Sequence, residues 1–366
     1  MLPTAKRIVI KIGSSLLVAS GALRREWLAS LAADIAALRE QGKEIILVSS
    51  GAVALGRPLL GLGTEALSLE EKQAAAAAGQ PLLMQAWQAA LDAHNIHTAQ
   101  LLLTLDDSEE RRRYLNARAT FGTLLARGLV PIVNENDTVA TAELKFGDND
   151  RLAARVAQMI SADTLVLFSD IDGLYTADPR SNPEAKLVPE VREVTAEIEA
   201  MGGTPSKHGS GGMITKIWAA KRAARSGAHT VIASGRTPDA LPRLLQGAPL
   251  GTLLIASQPP LAARKQWLAD HLQLAGRIQL DAGASNALRT GSSLLPVGVT
   301  HVEGDFERGA VVACLDETGE EIARGLINYA SSEARRIAGC PSAEIEQRLG
   351  YLDAPELIHR DNLVLV

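Results

Sequence analysis

Short apolar runs recur along this chain, and almost every one is released into a small polar cluster. Residues 7–12 (R-I-V-I-K-I) end in Gly13-Ser14-Ser15, and residues 44–48 end in Ser49-Ser50-Gly51-Ala52. Residues 130–133 run into Asn134-Glu135-Asn136-Asp137, residues 164–168 into Ser169-Asp170, and residues 230–233 into Ser234-Gly235. A further strand is expected at 100–104. Continuous β-branched and aliphatic runs of this length are strands buried on both faces, and such strands belong to parallel sheets. Helical segments separate them. Trp27, Leu28, Leu31, Ile35 and Leu38 share one face before Gly42; 69–93 is rich in alanine; 113–127 and 151–160 follow. The alternation predicts a parallel sheet covered on both faces. Ligands of such sheets collect at the carboxyl ends of the strands, which here are the polar clusters.

The pattern changes near residue 256. Residues 257–275, with Pro259-Pro260 and a short amphipathic run, read as a linker. From 276 to 353 the elements are short and turn-rich, and 311–315 and 322–327 flank Asp316-Glu317-Thr318-Gly319-Glu320 as a hairpin would. The expected organisation is an α/β domain over 1–256, a linker, a small β-rich domain over 276–353 and a tail over 354–366. A chain of 366 residues is long enough for two cores.

Composition mainly excludes. Aromatic residues make up 3% of the chain, too few for base-stacking platforms. The net charge is −5 and the β-rich part has no lysine, which argues against nucleic acid and anionic membranes as partners. Cys314 and Cys340 form neither a disulfide framework nor a redox spacing, and the histidines show no metal-binding spacing. The apolar run behind Lys6-Arg7 is broken at Lys11 and Gly13, and no run has the length of a membrane span. A cytoplasmic protein is the expectation.

Lys11 lies inside an apolar strand, one residue before a glycine. A cation there needs an anion nearby, and the Gly-Ser-Ser loop offers backbone N–H groups to one. The pair suggests a phosphate, without being a Walker A sequence. Ser49-Ser50-Gly51-Ala52 repeats the device, since small residues let a ligand approach the backbone. Residues 209–216 (G-S-G-G-M-I-T-K) open a third helix start. A flexible linker has this pattern, and so does a loop closing over a nucleotide with Lys216 reaching a phosphate. Two lysines flanking a transferring phosphoryl group, oriented by Asp150, would supply what that chemistry needs. Between them, 129–151 carries two polar knots, Asn134-Glu135-Asn136-Asp137 and Gly147-Asp148-Asn149-Asp150. Either alone is compatible with a turn or an N-cap. Together they suit a small zwitterion, with carboxylates for its ammonium and amides for its carboxylates. Residues 169–179 follow with turn chemistry at Asp172-Gly173 and Asp178-Pro179, a polar loop suited to an adenine or ribose.

In this order, K-I-G-S-S, S-S-G-A, N-E-N-D, G-D-N-D, D-G-L-Y-T-A-D-P-R and G-S-G-G-M-I-T-K resemble the amino acid kinase family, in its branch acting on glutamate. Residues 276–353 resemble a PUA domain, through G-S-S-L-L-P from Gly291 and F-E-R-G from Phe306. The resemblance implies a three-layer αβα sandwich with a mainly parallel sheet, followed by a small β-rich domain. It implies transfer of the ATP γ-phosphoryl group to the side-chain carboxylate of L-glutamate, at the start of proline biosynthesis. Lys11 and Lys216 would be catalytic, oriented by Asp150. Ser50, Gly51, Asn134, Asp137, Asp148 and Asn149 would bind glutamate. Lys11, Gly13, Ser169, Asp170, Ser210, Gly211, Gly212, Met213, Ile214, Thr215 and Lys216 would bind ATP.

The resemblance also implies Mg2+ held by ATP oxygens and water rather than by a protein metal site. It implies feedback inhibition by proline through the loop 138–148, a homodimer or homotetramer, and a glutamyl phosphate reductase as acceptor of the product. The acceptor carboxylate is ionised at neutral pH, so no general base is needed. Competing readings are a kinase for acetylglutamate, aspartate or carbamate, and an RNA-binding role for the PUA part. The G-D-N-D knot and the C-terminal domain argue against the first, and the acidic balance argues against the second.

Overall fold

The computed structural model describes residues 2–140, 148–203, 212–237, 239–260, 262–263 and 274–366. The chain divides into two compact units, Met1–Glu109 with Ala117–Pro260, and Glu110–Asn116 with Leu261–Val366.

The strands of the first unit are β1 (Arg7–Ile12), a small hairpin of β2 (Val18–Ala19) and β3 (Ala22–Leu23), β4 (Glu44–Ser49), β5 (Thr98–Leu103), β6 (Val130–Glu135), β7 (Thr164–Ser169), β8 (Glu190–Val191), β9 (His229–Ser234) and β10 (Thr252–Leu254). Eight of them form one sheet in the order β5-β6-β4-β1-β7-β9-β10-β8. Every pairing in it is parallel except that of β9 with β10. The helices are α1 (Ser14–Leu17), α2 (Arg25–Glu40), α3 (Ala52–Leu59), α4 (Leu69–Asp92), α5 (Leu105–Glu109), α6 (Arg111–Ala126), α7 (Asn149–Met159), α8 (Ala196–Met201), α9 (Met213–Arg225) and α10 (Ala240–Leu245).

The two-residue period of a strand sorts β1 between two layers. Ile8, Ile10 and Ile12 join the core formed with Leu28, Leu31 and Ile35 of α2 and Leu83, Trp87 and Leu91 of α4. Val9 and Lys11 face the opposite side, where α7 packs against β1 and α9 packs against both α7 and β9. Lys11 is therefore a cation presented to one helical layer, one residue before the strand ends.

Helices α3 and α4 touch backbone to backbone. A Cβ on Gly56 would lie 1.8 Å from the carbonyl oxygen of Ala75, and one on Gly79 would lie 1.9 Å from that of Ala52. The α3 start is set by Gly51, whose φ of +116° is open to glycine and strained for other residues. A capping box between Ser68 and Glu71 opens α4.

The second unit has its own sheet of β11 (Gly276–Leu280), β12 (Val299–Gly304), β13 (Val311–Leu315), β14 (Glu321–Leu326) and β15 (Leu363–Leu365), ordered β12-β11-β13-β14-β15. Only β11 and β13 pair in parallel. The β13–β14 hairpin turns where the sequence places it, with Asp316 Oδ1 accepting hydrogen bonds from Thr318 and Glu320.

The structure differs from the sequence reading in four places. The loop after β1 is followed by a single helical turn and a hairpin, and the long helix starts only at Arg25. The short strands β8 and β10 add an edge to the sheet that the sequence reading did not assign. The prolines assigned to a linker pack with the first unit, where a Cβ on Gly227 would lie 2.4 Å from Pro260 N. The segment set apart as a tail supplies β15, and its Leu357 and Ile358 are fully buried.

Candidate active site

The aligned carboxyl ends of β1, β4, β6 and β7 open into a cleft of about 880 Å³. Lys11, Gly13, Ser50, Gly51, Asn134, Asp137, Asp148, Asn149, Ser169, Asp170, Gly212, Met213 and Lys216 all line it. Asp150 lies just behind this lining. Ile214 and Thr215 do not line it and are buried. Ser210 and Gly211 lie outside the described residues, as does most of the loop 138–148.

Asp150 is fully buried in the first turn of α7 and is gripped on both oxygens. Lys11 Nζ lies 2.7 Å from Oδ1, and Lys216 Nζ lies 2.7 Å from Oδ2. Lys216 comes from the first turn of α9, and the Thr215 hydroxyl beside it lies 3.3 Å from the same Oδ2. Burial pushes the Asp150 carboxyl up, but the two ammonium groups outweigh it and hold the carboxyl below its ordinary value. Asp148 responds in the opposite sense. Burial first, and then the charge of Asp150, raise its pKa above its ordinary value. Asp148 is also the N-cap of α7, accepting from Arg151 N at 2.9 Å, so the cap and the cleft use one residue.

The other wall is an amide chain. Asn149 Nδ2 donates to Ser50 Oγ at 2.8 Å and to Asn134 Oδ1 at 3.0 Å. Asn134 Nδ2 donates to Gln80 Oε1 at 2.9 Å. Two turns earlier on α4, Gln73 donates to the carbonyl of Ala140 at 3.1 Å. Neither glutamine is singled out by the sequence reading. The only sequence signal is a polar residue directly after Gly79 in an alanine-rich helix. Arg57, Asp172, Tyr175 and Arg180 also line the cleft without having been named as site residues.

Unlike Gly51, two other glycines of the cleft are not demanded by the fold. Among the described residues, a Cβ at Gly13 would meet only Phe168 O at 3.7 Å, an ordinary contact, and one at Gly212 would meet nothing within 4 Å. Their bareness leaves room for a ligand.

An α/β sandwich with two lysines on one buried aspartate at the strand ends defines a class, the small-molecule phosphotransferases. The amino acid kinase family profile matches residues 6–234, and the PUA domain profile matches residues 276–349. The chain is 59% identical to the glutamate 5-kinase of Aromatoleum aromaticum, covering 99% of this chain and 98% of that one. It is 56% identical to the glutamate 5-kinase of Paramagnetospirillum magneticum, covering 100% of this chain and 99% of that one. The chain belongs to the amino acid kinase family, and within it to the glutamate 5-kinases.

Proposed function

We propose that this chain transfers the γ-phosphoryl group of ATP to the side-chain carboxylate of L-glutamate, forming L-glutamyl 5-phosphate in the first step of proline biosynthesis. The observation that carries the reading is Asp150 with a lysine on each oxygen, beside a cleft wall of amides and carboxylates.

A carboxylate oxygen of glutamate bonds to the γ-phosphorus while the bond from that phosphorus to the ADP oxygen breaks. No proton has to move, because the acceptor is already ionised. The difficulty is electrostatic, since an anion must approach a polyanion. Lys11 and Lys216 neutralise charge on the transferring group, and preorganised charge is worth most in a site closed to water. Asp150 holds the two cations apart and aimed, since bare ammonium groups this close would repel one another. Ser50, Gly51, Asn134 and Asn149 receive glutamate with Asp137 and Asp148. Gly13, Ser169, Asp170 and the start of α9 receive ATP. Mg2+, when bound, would supply neutralisation of phosphate charge and would be held mainly by ATP oxygens and water. Asp150 is not available to it, because both its oxygens face lysines.

The reading extends to a cytoplasmic homo-oligomer whose acyl phosphate passes to a glutamyl phosphate reductase. It also extends to proline as inhibitor, because proline carries the same α-carboxylate and an ammonium. The test is glutamate-dependent ADP release by the purified chain, with the acyl phosphate trapped by hydroxylamine. Glutamate is expected to outrun acetylglutamate, aspartate and carbamate, and equal or faster turnover of any of these overturns the reading. Proline is expected to inhibit, with loop 138–148 substitutions weakening inhibition more than glutamate KM. Parallel shifts would exclude a separate regulatory loop.

A further inference from the structure

The backbone N–H of Glu135 can only donate, and it donates to Asn134 Oδ1 at 2.9 Å. That contact fixes which end of the Asn134 amide is oxygen. The rest of the chain follows by elimination. Asn149 meets Asn134 Oδ1 and must present its nitrogen, which spends its second hydrogen on Ser50 Oγ. Asn134 turns its own nitrogen toward Gln80, so Gln80 must answer with Oε1. The Gln80 Nε2 left over is buried with no hydrogen-bond partner among the described residues. An orphaned buried donor is unfavourable, and a glutamine kept in that orientation is doing something that outweighs it.

We propose that Gln80 is a positioning residue that locks the hydrogen-bond polarity of the glutamate pocket, tuning it to an amino acid with a free α-ammonium. The inference rests on the glutamate kinase reading. With the chain locked, the pocket presents two donors, the Ser50 hydroxyl hydrogen and the second hydrogen of Asn134 Nδ2. It presents one amide acceptor, Asn149 Oδ1. The donors match an α-carboxylate. The acceptor, with the carboxylates of Asp137 and Asp148, matches a primary ammonium. An N-acylated amino acid brings one amide hydrogen and no positive charge, so it leaves those carboxylates unneutralised. The anchor is rigid, because Gly79 next to Gln80 lies against the α3 backbone. Without the Gln80 oxygen, the buried Asn134 nitrogen has no protein acceptor. Its amide then turns toward the ligand or water, and Asn149 is freed to flip.

The experiment uses the full chain with Gln80→Met, which keeps length but loses the acceptor, and Gln80→Glu, which keeps an acceptor oxygen. Glutamate KM, ATP KM, kcat and the thermal melt are measured, with glutarate as the ammonium-free probe. In Gln80→Met the glutamate KM is expected to rise about tenfold while the ATP KM stays within about twofold, the signature of lost acceptor binding. The preference for glutamate over glutarate should narrow. In Gln80→Glu the glutamate KM should stay within about threefold of wild type. A Gln80→Met enzyme with wild-type glutamate KM overturns the proposal, as does an ATP KM that rises in step. Should Gln80→Met not fold, Gln80→Glu decides alone, and a tenfold rise there overturns the proposal. Failure of the glutamate kinase reading would show separately, as a wild-type chain without glutamate turnover.

Discussion

Both units of this protein close a hydrophobic core around a sheet, yet they fill their interiors differently. In the first unit Lys11, Asp148, Asp150 and Lys216 are buried along with Asn134. In the second, the buried polar side chains among the described residues are Ser285, Ser331 and Asn362, with no charged group. Its fully buried Cys314 stays an inert thiol, pushed up to about 12 by burial and by Glu321. The second unit shows that a sheet domain of this chain reaches a packed core without internal charge. Charge inside a protein seldom adds stability, because desolvation consumes most of the Coulombic gain. The Lys–Asp–Lys arrangement is thus best understood through the reaction.

The contrast breaks most readily at the lysines. Lys11→Ala or Lys216→Ala should lower kcat about 10²–10³-fold, as loss of one preorganised charge donor does. The melt should move much less. Steady-state kinetics beside a thermal scan checks this, and near-normal kcat would return the lysines to a structural role.

Next in size is a contrast between glycines. Gly79→Ala forces a methyl onto the Ala52 carbonyl and should cost about 3 kcal/mol in urea unfolding. Gly13→Ala meets no such obstacle and should unfold within about 0.5 kcal/mol of wild type while raising the ATP KM. Equal stability of the two variants would show that α3 and α4 can separate freely.

Asp34 offers a charge in the first unit that serves no cleft. Burial, helped by the charge of Asp239, raises its pKa to about 6. A carboxyl raised above its unfolded value favours the folded state while protonated, and that advantage fades as pH climbs from about 4 to above 6. Asp34→Asn should therefore stabilise at pH 7, by about 1 kcal/mol after discounting the full shift for solvent screening of a half-exposed group. The gain should vanish below about pH 4. Asp150 has the opposite sign. Its depressed value contributes stability above the ordinary carboxylate range, lost as pH falls through it. Melting temperature against pH for wild type and Asp34→Asn distinguishes the two.

The smallest expected effect on chemistry comes from the largest deletion. Every described residue lining the cleft belongs to the first unit. Ending the chain after Pro260 should keep glutamate-dependent turnover within about tenfold, as for a domain with its own core. The melt should fall, because Glu110–Asn116 cluster with the second unit and lose it. A folded but inactive truncation would show that the second unit completes the site.

Much of this was legible beforehand for a physical reason. Strands buried on both faces announce themselves as apolar runs, and a polar cluster after such a run marks the ligand edge. Ser50, Asn134 and Ser169 come into view that way, and Lys11 and Lys216 through the glycine-rich segments beside them. What escaped was set by partners remote in sequence. Gln80 matters through Asn134, fifty-four residues away, and nothing in an alanine-rich helix flags such a contact. Strands as short as β8 and β10 have too few residues to display a period, and β15 is a strand because β14 lies beside it.

The crossing of α3 and α4 has a consequence for what selection or a genetic screen can repair. A methyl at position 56 meets Ala75 O and C and Gly79 N, and one at position 79 meets Ala52 O and C and Gly56 N. All six atoms are main chain. A clash between two side chains can be relieved by shrinking either one, so a lesion of that kind has a natural suppressor. Here there is no side chain to shrink, and removing a neighbour's methyl returns no space. Second-site revertants of a damaged Gly56 or Gly79 should be scarce, and those that arise should act by global stabilisation elsewhere in the chain.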